Sequence, residues 1–214
     1  PCSAPPPRAG AAVARARAPR GQEARVHPGP AAEPHHPAEW ELFRSSLSAA
    51  VRALRTAIGP DALLSVTAPA DRIPTDPDVP IGSTAEPDLT WDMNFKQRVA
   101  LLRVNEIVVM PHASGLEDAA QYTVWVAYQV ESYATAINQL DRPADIIVAL
   151  PTYDAAPDRD PEIENVRAAI KGVKEGVKRA EASGELVKGV GLYEYKSTDS
   201  LEWTFFRTDW LGKE

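Results

Sequence analysis

The sequence is poor in the features that most directly announce a function. It has one cysteine, Cys2, which excludes an internal disulfide but leaves the redox compartment open. It has no apolar run approaching the roughly 18–20 residues that span a bilayer, so no membrane partner is expected. Gly-rich phosphate loops and a Gly-x-Ser-x-Gly elbow are absent, leaving nucleotide binding of that kind and serine catalysis without support. Histidine is scarce: His27, His35 and His36 crowd a Pro-rich stretch, without the i, i+4 or Cys/His spacing of a metal site. Neither a metal nor a cofactor is therefore expected. The net charge of -7 is the wrong sign for a nucleic-acid partner.

What is present is unevenly spread. Nine of the 20 prolines fall within the first 38 residues, with five arginines, two glutamates and no lysine. A Pro/Ala/Arg tract of this kind buries too little apolar surface to offset its ordering entropy. Residues 1–38 therefore read as a disordered or irregular segment and 39–214 as the folded part. The apolar stretch around Ala9–Ala14 is short and leads into arginines, so no signal peptide is visible. The first residue is Pro rather than Met, as expected of a processed chain or a piece of a longer one.

Three apolar runs in the second half end in chemistry: Glu106 to His112, Asp145 to Asp154 and Gly189 to Tyr195. Each joins a short run of β-formers to a polar or aromatic cluster, and each leads into a helical pattern. That is the βα-unit pattern of a parallel sheet buried on both faces. A fourth run, Ala62 to Ala68, precedes them. Helical periodicity is read over Ala38–Ile58, Trp91–Arg103, Leu116–Leu140 and Asp158–Ala182, and in a last helix opened by Ser197-Thr-Asp-Ser. The loop from about Pro69 to Thr90 exceeds ~15 residues, a length that is usually functional or disordered. Trp40, Trp125, Tyr133 and Trp203 read as core residues covering the sheet. In α/β folds of this kind ligands bind at the carboxyl ends of the strands. A doubly wound sheet and part of a (β/α)8 barrel both fit; a complete barrel usually needs ~250 residues.

Four segments carry a family resemblance: Gly59-Pro-Asp-Ala-Leu-Leu-Ser-Val-Thr-Ala-Pro69, Val104-Asn-Glu-Ile-Val-Val-Met-Pro-His-Ala-Ser-Gly115, Ile146-Ile-Val-Ala-Leu-Pro-Thr-Tyr-Asp154 and Gly189-Val-Gly-Leu-Tyr-Glu-Tyr195 with the following Lys196-Ser-Thr-Asp-Ser-Leu-Glu-Trp203. In that order they resemble strands five to eight of a glycoside hydrolase family 18 (chitinase-like) barrel, in its divergent bacterial form. The resemblance implies a partial (β/α)8 barrel of about four C-terminal βα units. It implies a glycan partner built of N-acetylated amino sugars, a secreted or cell-envelope location, and a missing N-terminal barrel half as a further partner.

The resemblance also implies roles. In the family a glutamic acid protonates the leaving oxygen, and the substrate's own acetamido oxygen is the nucleophile. The signature is Asp-x-x-Asp-x-Glu at the end of the fourth strand. Here Glu33 stands for the glutamate, and the aspartate positions are Pro28 and Ala31, which cannot ionise. A carboxyl without its neighbouring aspartate lacks the group that tunes it and holds the nucleophile. On the sixth strand the family's Tyr and Asp become His112 and Ala113, and on the eighth its Trp becomes Tyr193. The candidate site residues are thus Glu33 as acid, with His112, Tyr153, Asp154, Tyr193, Asp71 and Trp91 as substrate contacts. Each has a plainer alternative: a loop carboxylate, a strand-end His bonded to a loop, a core Tyr, a turn Asp, a surface ion pair with Arg72, a helix-start Trp. The expected function is a glycosidase-like protein, incomplete or inactive in this chain. The alternatives are a non-catalytic carbohydrate-binding barrel and a non-functional truncated fragment.

Overall fold

A computed structural model describes residues 12–18, 22–28, 37–70, 76, 78–80, 93–156 and 159–213; through residue 44, at 69 and at 93–95 it describes the backbone alone. The architecture is α/β. Strands β1 (Ala12–Ala18) and β2 (Gln22–Pro28) lead to helix α1 (Pro37–Ile58). Then β3 (Leu63–Pro69), α2 (Met93–Ala100), β4 (Glu106–Met110), α3 (Ala119–Asn138), β5 (Asp145–Pro151), α4 (Val166–Arg179), β6 (Val187–Tyr193) and α5 (Ser200–Phe205) follow. A 3-10 segment, Glu181–Leu186, enters β6, and a π-helical stretch, Phe206–Trp210, continues α5.

Strands β3 to β6 are parallel, and each lies beside its predecessor. Their register is continuous: Val66 pairs with Ile107, Ile107 with Ile146, and Val148 with Val190. On the other edge β2 runs parallel to β3, and β1 antiparallel to both. The tract read as irregular thus contains two strands. Ala12-Val-Ala-Arg-Ala-Arg-Ala18 does alternate residue types with the strand period of two, a signal its Pro-rich flanks obscured. β1 and β2 are joined to β3 through backbone pairing.

Helix lengths differ from the sequence reading at their ends, for local reasons. α3 starts at Ala119 because the Asp118 carboxylate accepts the N–H groups of Ala120 and Gln121. α4 starts at Val166, not near Asp158, because the Asn165 side chain caps it through Ala168 N. β6 spans Val187–Tyr193 rather than Gly189–Tyr195: the carbonyl of Glu194 is taken by a turn, accepting from Ser197 N at 3.2 Å and Thr198 Oγ1 at 3.0 Å. α2 is shorter than Trp91–Arg103, and Arg103 beyond it has a positive φ of 60°.

The core lies between the sheet and helices α3 and α4. Ile107, Val109, Ile146, Val148 and Leu150 are fully buried with Tyr122, Trp125, Val126, Val130, Tyr133 and Ile137 of α3. Burying each such side chain contributes ~1.5–3 kcal/mol. The expectation that Trp125 and Tyr133 are core is met. Trp203 instead is half-buried, edge-on to Tyr195 and Phe206. Of Trp40 the backbone alone is described. α4 meets α3 through Gly172 and Gly176: a Cβ on Gly176 would stand 2.6 Å from the Ala127 carbonyl oxygen and from Val130 Cβ. The sheet is not equally buried on its two faces. In β4 Glu106, Val108 and Met110 are half-buried where Ile107 and Val109 are buried, and β6 has no fully buried residue. β6 ends the row of parallel strands, and Gly189 and Gly191 bring no side chain to it.

Candidate functional site

Three strand ends converge. β4 runs out through Pro111-His112-Ala113-Ser114-Gly115, β5 through Pro151-Thr152-Tyr153, and β6 ends on Tyr193. The His112 ring lies stacked on Tyr193, 5.1 Å between centroids and 27° between planes. It stands edge-on to Tyr153 at 5.2 Å. The Arg159 guanidinium sits over Tyr153, 4.9 Å from the ring centre. The backbone closes the group: Thr152 N donates to Tyr193 O at 2.7 Å, and Thr152 Oγ1 to Glu194 O at 3.0 Å.

Under these rings lies a residue that no sequence pattern singled out, Glu164. It is buried, in the loop before α4. Its carboxylate accepts four hydrogen bonds: Ala113 N at 3.0 Å, Ser114 N at 2.6 Å, Ser114 Oγ at 2.6 Å, and the Tyr153 hydroxyl. Two of these donors are consecutive backbone N–H groups, turned to one side because Ala113 has a φ of 53° and Gly115 one of 64°. This is an anion nest formed by alternating backbone handedness. The left-handed conformation costs an alanine ~1–2 kcal/mol, and the charge-assisted bonds to Glu164 offset it. The signal that could have found Glu164 is its place between apolar Ile163 and the helix cap Asn165, where a solvated loop carboxylate is out of place.

The electrostatics follow from burial. The Tyr153 hydroxyl is pushed well above its ordinary pKa, first by burial and then by the charge of Glu164 that it bonds. It stays a protonated donor. Tyr122, also buried, is raised for the same leading reason, and its hydroxyl donates a hydrogen bond to Pro111 O at 2.6 Å. His112 is lowered to about 4, chiefly by burial, with Arg159 adding to the fall and the hydrogen bond to Ala149 opposing it. The imidazole is therefore neutral at pH 7. Glu202 of α5 is raised, mainly by burial, with Asp199 and Asp154 adding like charge.

Of the expected site residues, His112, Tyr153 and Tyr193 come together. Asp154 does not join the rings; it is exposed on the rim and faces Glu202 electrostatically. Glu33, Asp71 and Trp91 lie outside the described residues. Among the described residues no cluster of His, Cys, Asp and Glu could hold a metal. No family model, no curated protein and no solved structure matches the chain.

Proposed function

We propose that the chain is the C-terminal half of a glycoside hydrolase-like (β/α)8 barrel, and that its strand ends bind N-acetylated amino-sugar glycans without cleaving them. The observation that carries this is the His112–Tyr153–Tyr193 group at the carboxyl ends of three adjacent parallel strands. Aromatic faces backed by a few fixed polar groups are the usual means of holding a sugar ring. The order of the parallel strands supports the barrel, because in such a fold each strand neighbours the one before it.

Binding is preferred to hydrolysis because the signature's aspartate positions are Pro28 and Ala31, which cannot ionise, and because the buried carboxylate beside the rings, Glu164, is already engaged. A glycosidase acid must present a proton to the leaving oxygen. Four donors occupy this carboxylate, so its lone pairs serve the scaffold and none is offered to a substrate. Titration calorimetry with N-acetylated chito-oligosaccharides is expected to show binding, and a chromogenic N-acetylglucosaminide is expected to stay uncleaved. No heat of binding at millimolar sugar would leave the fragment reading in its place. Hydrolysis abolished by Glu33→Gln would restore the enzyme reading.

A further inference from the structure

We infer that His112 meets its ligand as a hydrogen-bond acceptor: its Nδ1 accepts a hydrogen bond from a hydroxyl or amide N–H of an uncharged ligand. The inference rests on the glycan reading and makes it more specific.

The geometry sets the tautomer. His112 Nε2 lies 2.9 Å from the Ala149 carbonyl oxygen. A carbonyl oxygen only accepts, so Nε2 carries the proton. In a neutral imidazole the other nitrogen is then a bare lone pair. The ring is packed so that Nε2 faces Ala149 O. Tyr193 is stacked on one face and Tyr153 stands at its edge, while Tyr153 is itself fixed by its bond to Glu164. The charge facing the ring favours the neutral form: Arg159 is a cation that opposes a second positive charge. Ala149 O belongs to β5, so the ring is tied across to the neighbouring strand.

The consequence is selectivity. A ligand hydroxyl or acetamido N–H meets an acceptor. A group with lone pairs only, such as an ether or a carboxylate, meets a second lone pair, and an unmatched polar contact loses affinity. His112 is in this sense a specificity-determining residue, with Glu164 and Ala149 as its positioning partners.

The test has two readouts. Two-bond nitrogen–proton NMR correlation of the ligand-free chain at pH 7 is expected to show the Nε2–H form, with Nδ1 unprotonated. The Nδ1–H form or an imidazolium overturns the inference, whatever the ligand does. Titration with N-acetylated chitotetraose then compares wild type with His112→Gln, whose side-chain amide retains a donor for Ala149 O but lacks the Nδ1 acceptor. About tenfold weaker binding by the variant is expected, the loss of roughly one well-formed hydrogen bond. Equal affinity of the two proteins overturns the inference alone. Absence of binding by the wild type overturns the glycan reading beneath it.

Discussion

The two sides of the α3–α4 half of the molecule are held by different physics. Between sheet and helices the contacts are apolar, and between α3 and α4 they are so close that Gly172 and Gly176 leave no space for a Cβ. Even the indole N–H of Trp125 is buried there without a hydrogen-bond partner. At the carboxyl ends of the strands the contacts are polar and directional, with Ala113 in a left-handed conformation and a buried carboxylate holding four donors. The first side resists any added atom. The second depends on particular atoms being present.

The packed layer is most sensitive at Gly176. Gly176→Val puts a branched side chain 2.6 Å from backbone and from Val130, and the chain is expected to lose more than ~3 kcal/mol or fail to fold, as read by urea unfolding. The ~1 kcal/mol that a helix gains when glycine is replaced is too small to compensate. Next is Glu164→Gln. It presents an amide N–H₂ to donors that need an acceptor, and a loss of about 3 kcal/mol is expected, with the Tyr153 and His112 ring resonances broadened by NMR.

A pH effect follows in size. The folded His112 has its pKa lowered from 6.5 to about 4, so the unfolded chain binds its proton first. The contribution is fully present above pH 6.5 and is lost as pH falls from 6.5 toward 4. Discounted for a half-buried ring, it amounts to about 2 kcal/mol. His112→Gln does not titrate, and its stability curve should lack this component; an unchanged slope between those pH values would contradict the burial argument. The smallest effect sharpens the contrast. Gly191 has nothing within 4 Å of an added Cβ, and Gly191→Ala is expected to stay within ~0.5 kcal/mol of wild type, against the several lost at Gly176.

Much of this division was legible in the sequence, because periodicity reports packing. The strand Glu106–Met110 and the stripe of α3 through Tyr122, Trp125, Val130, Tyr133 and Ile137 follow from spacing alone, since a buried face forces apolar residues to recur. His112, Tyr153 and Tyr193 were legible as strand ends. What they stand on was not. Glu164 is 50 residues from Ser114 in the chain, and its role depends on two backbone angles that sequence does not display. Strands β1 and β2 were hidden for another reason: they are joined to the sheet by pairing with each other and with the distant β3, and a short alternating run amid prolines carries little signal alone. The end of β6 was misjudged by two residues because Tyr195 continues the alternation, while the turn that stops the strand is made by hydroxyls of Thr152, Ser197 and Thr198.

On the proposed reading, the rim and not the packed layer holds a glycan. Titration calorimetry of the wild type and Tyr193→Ala with N-acetylated chitotetraose tests it most directly. The prediction is measurable binding by the wild type and about tenfold weaker binding by Tyr193→Ala, with nearly the same unfolding midpoint. Equal affinities for the two proteins, or no binding by the wild type at millimolar sugar, would contradict it.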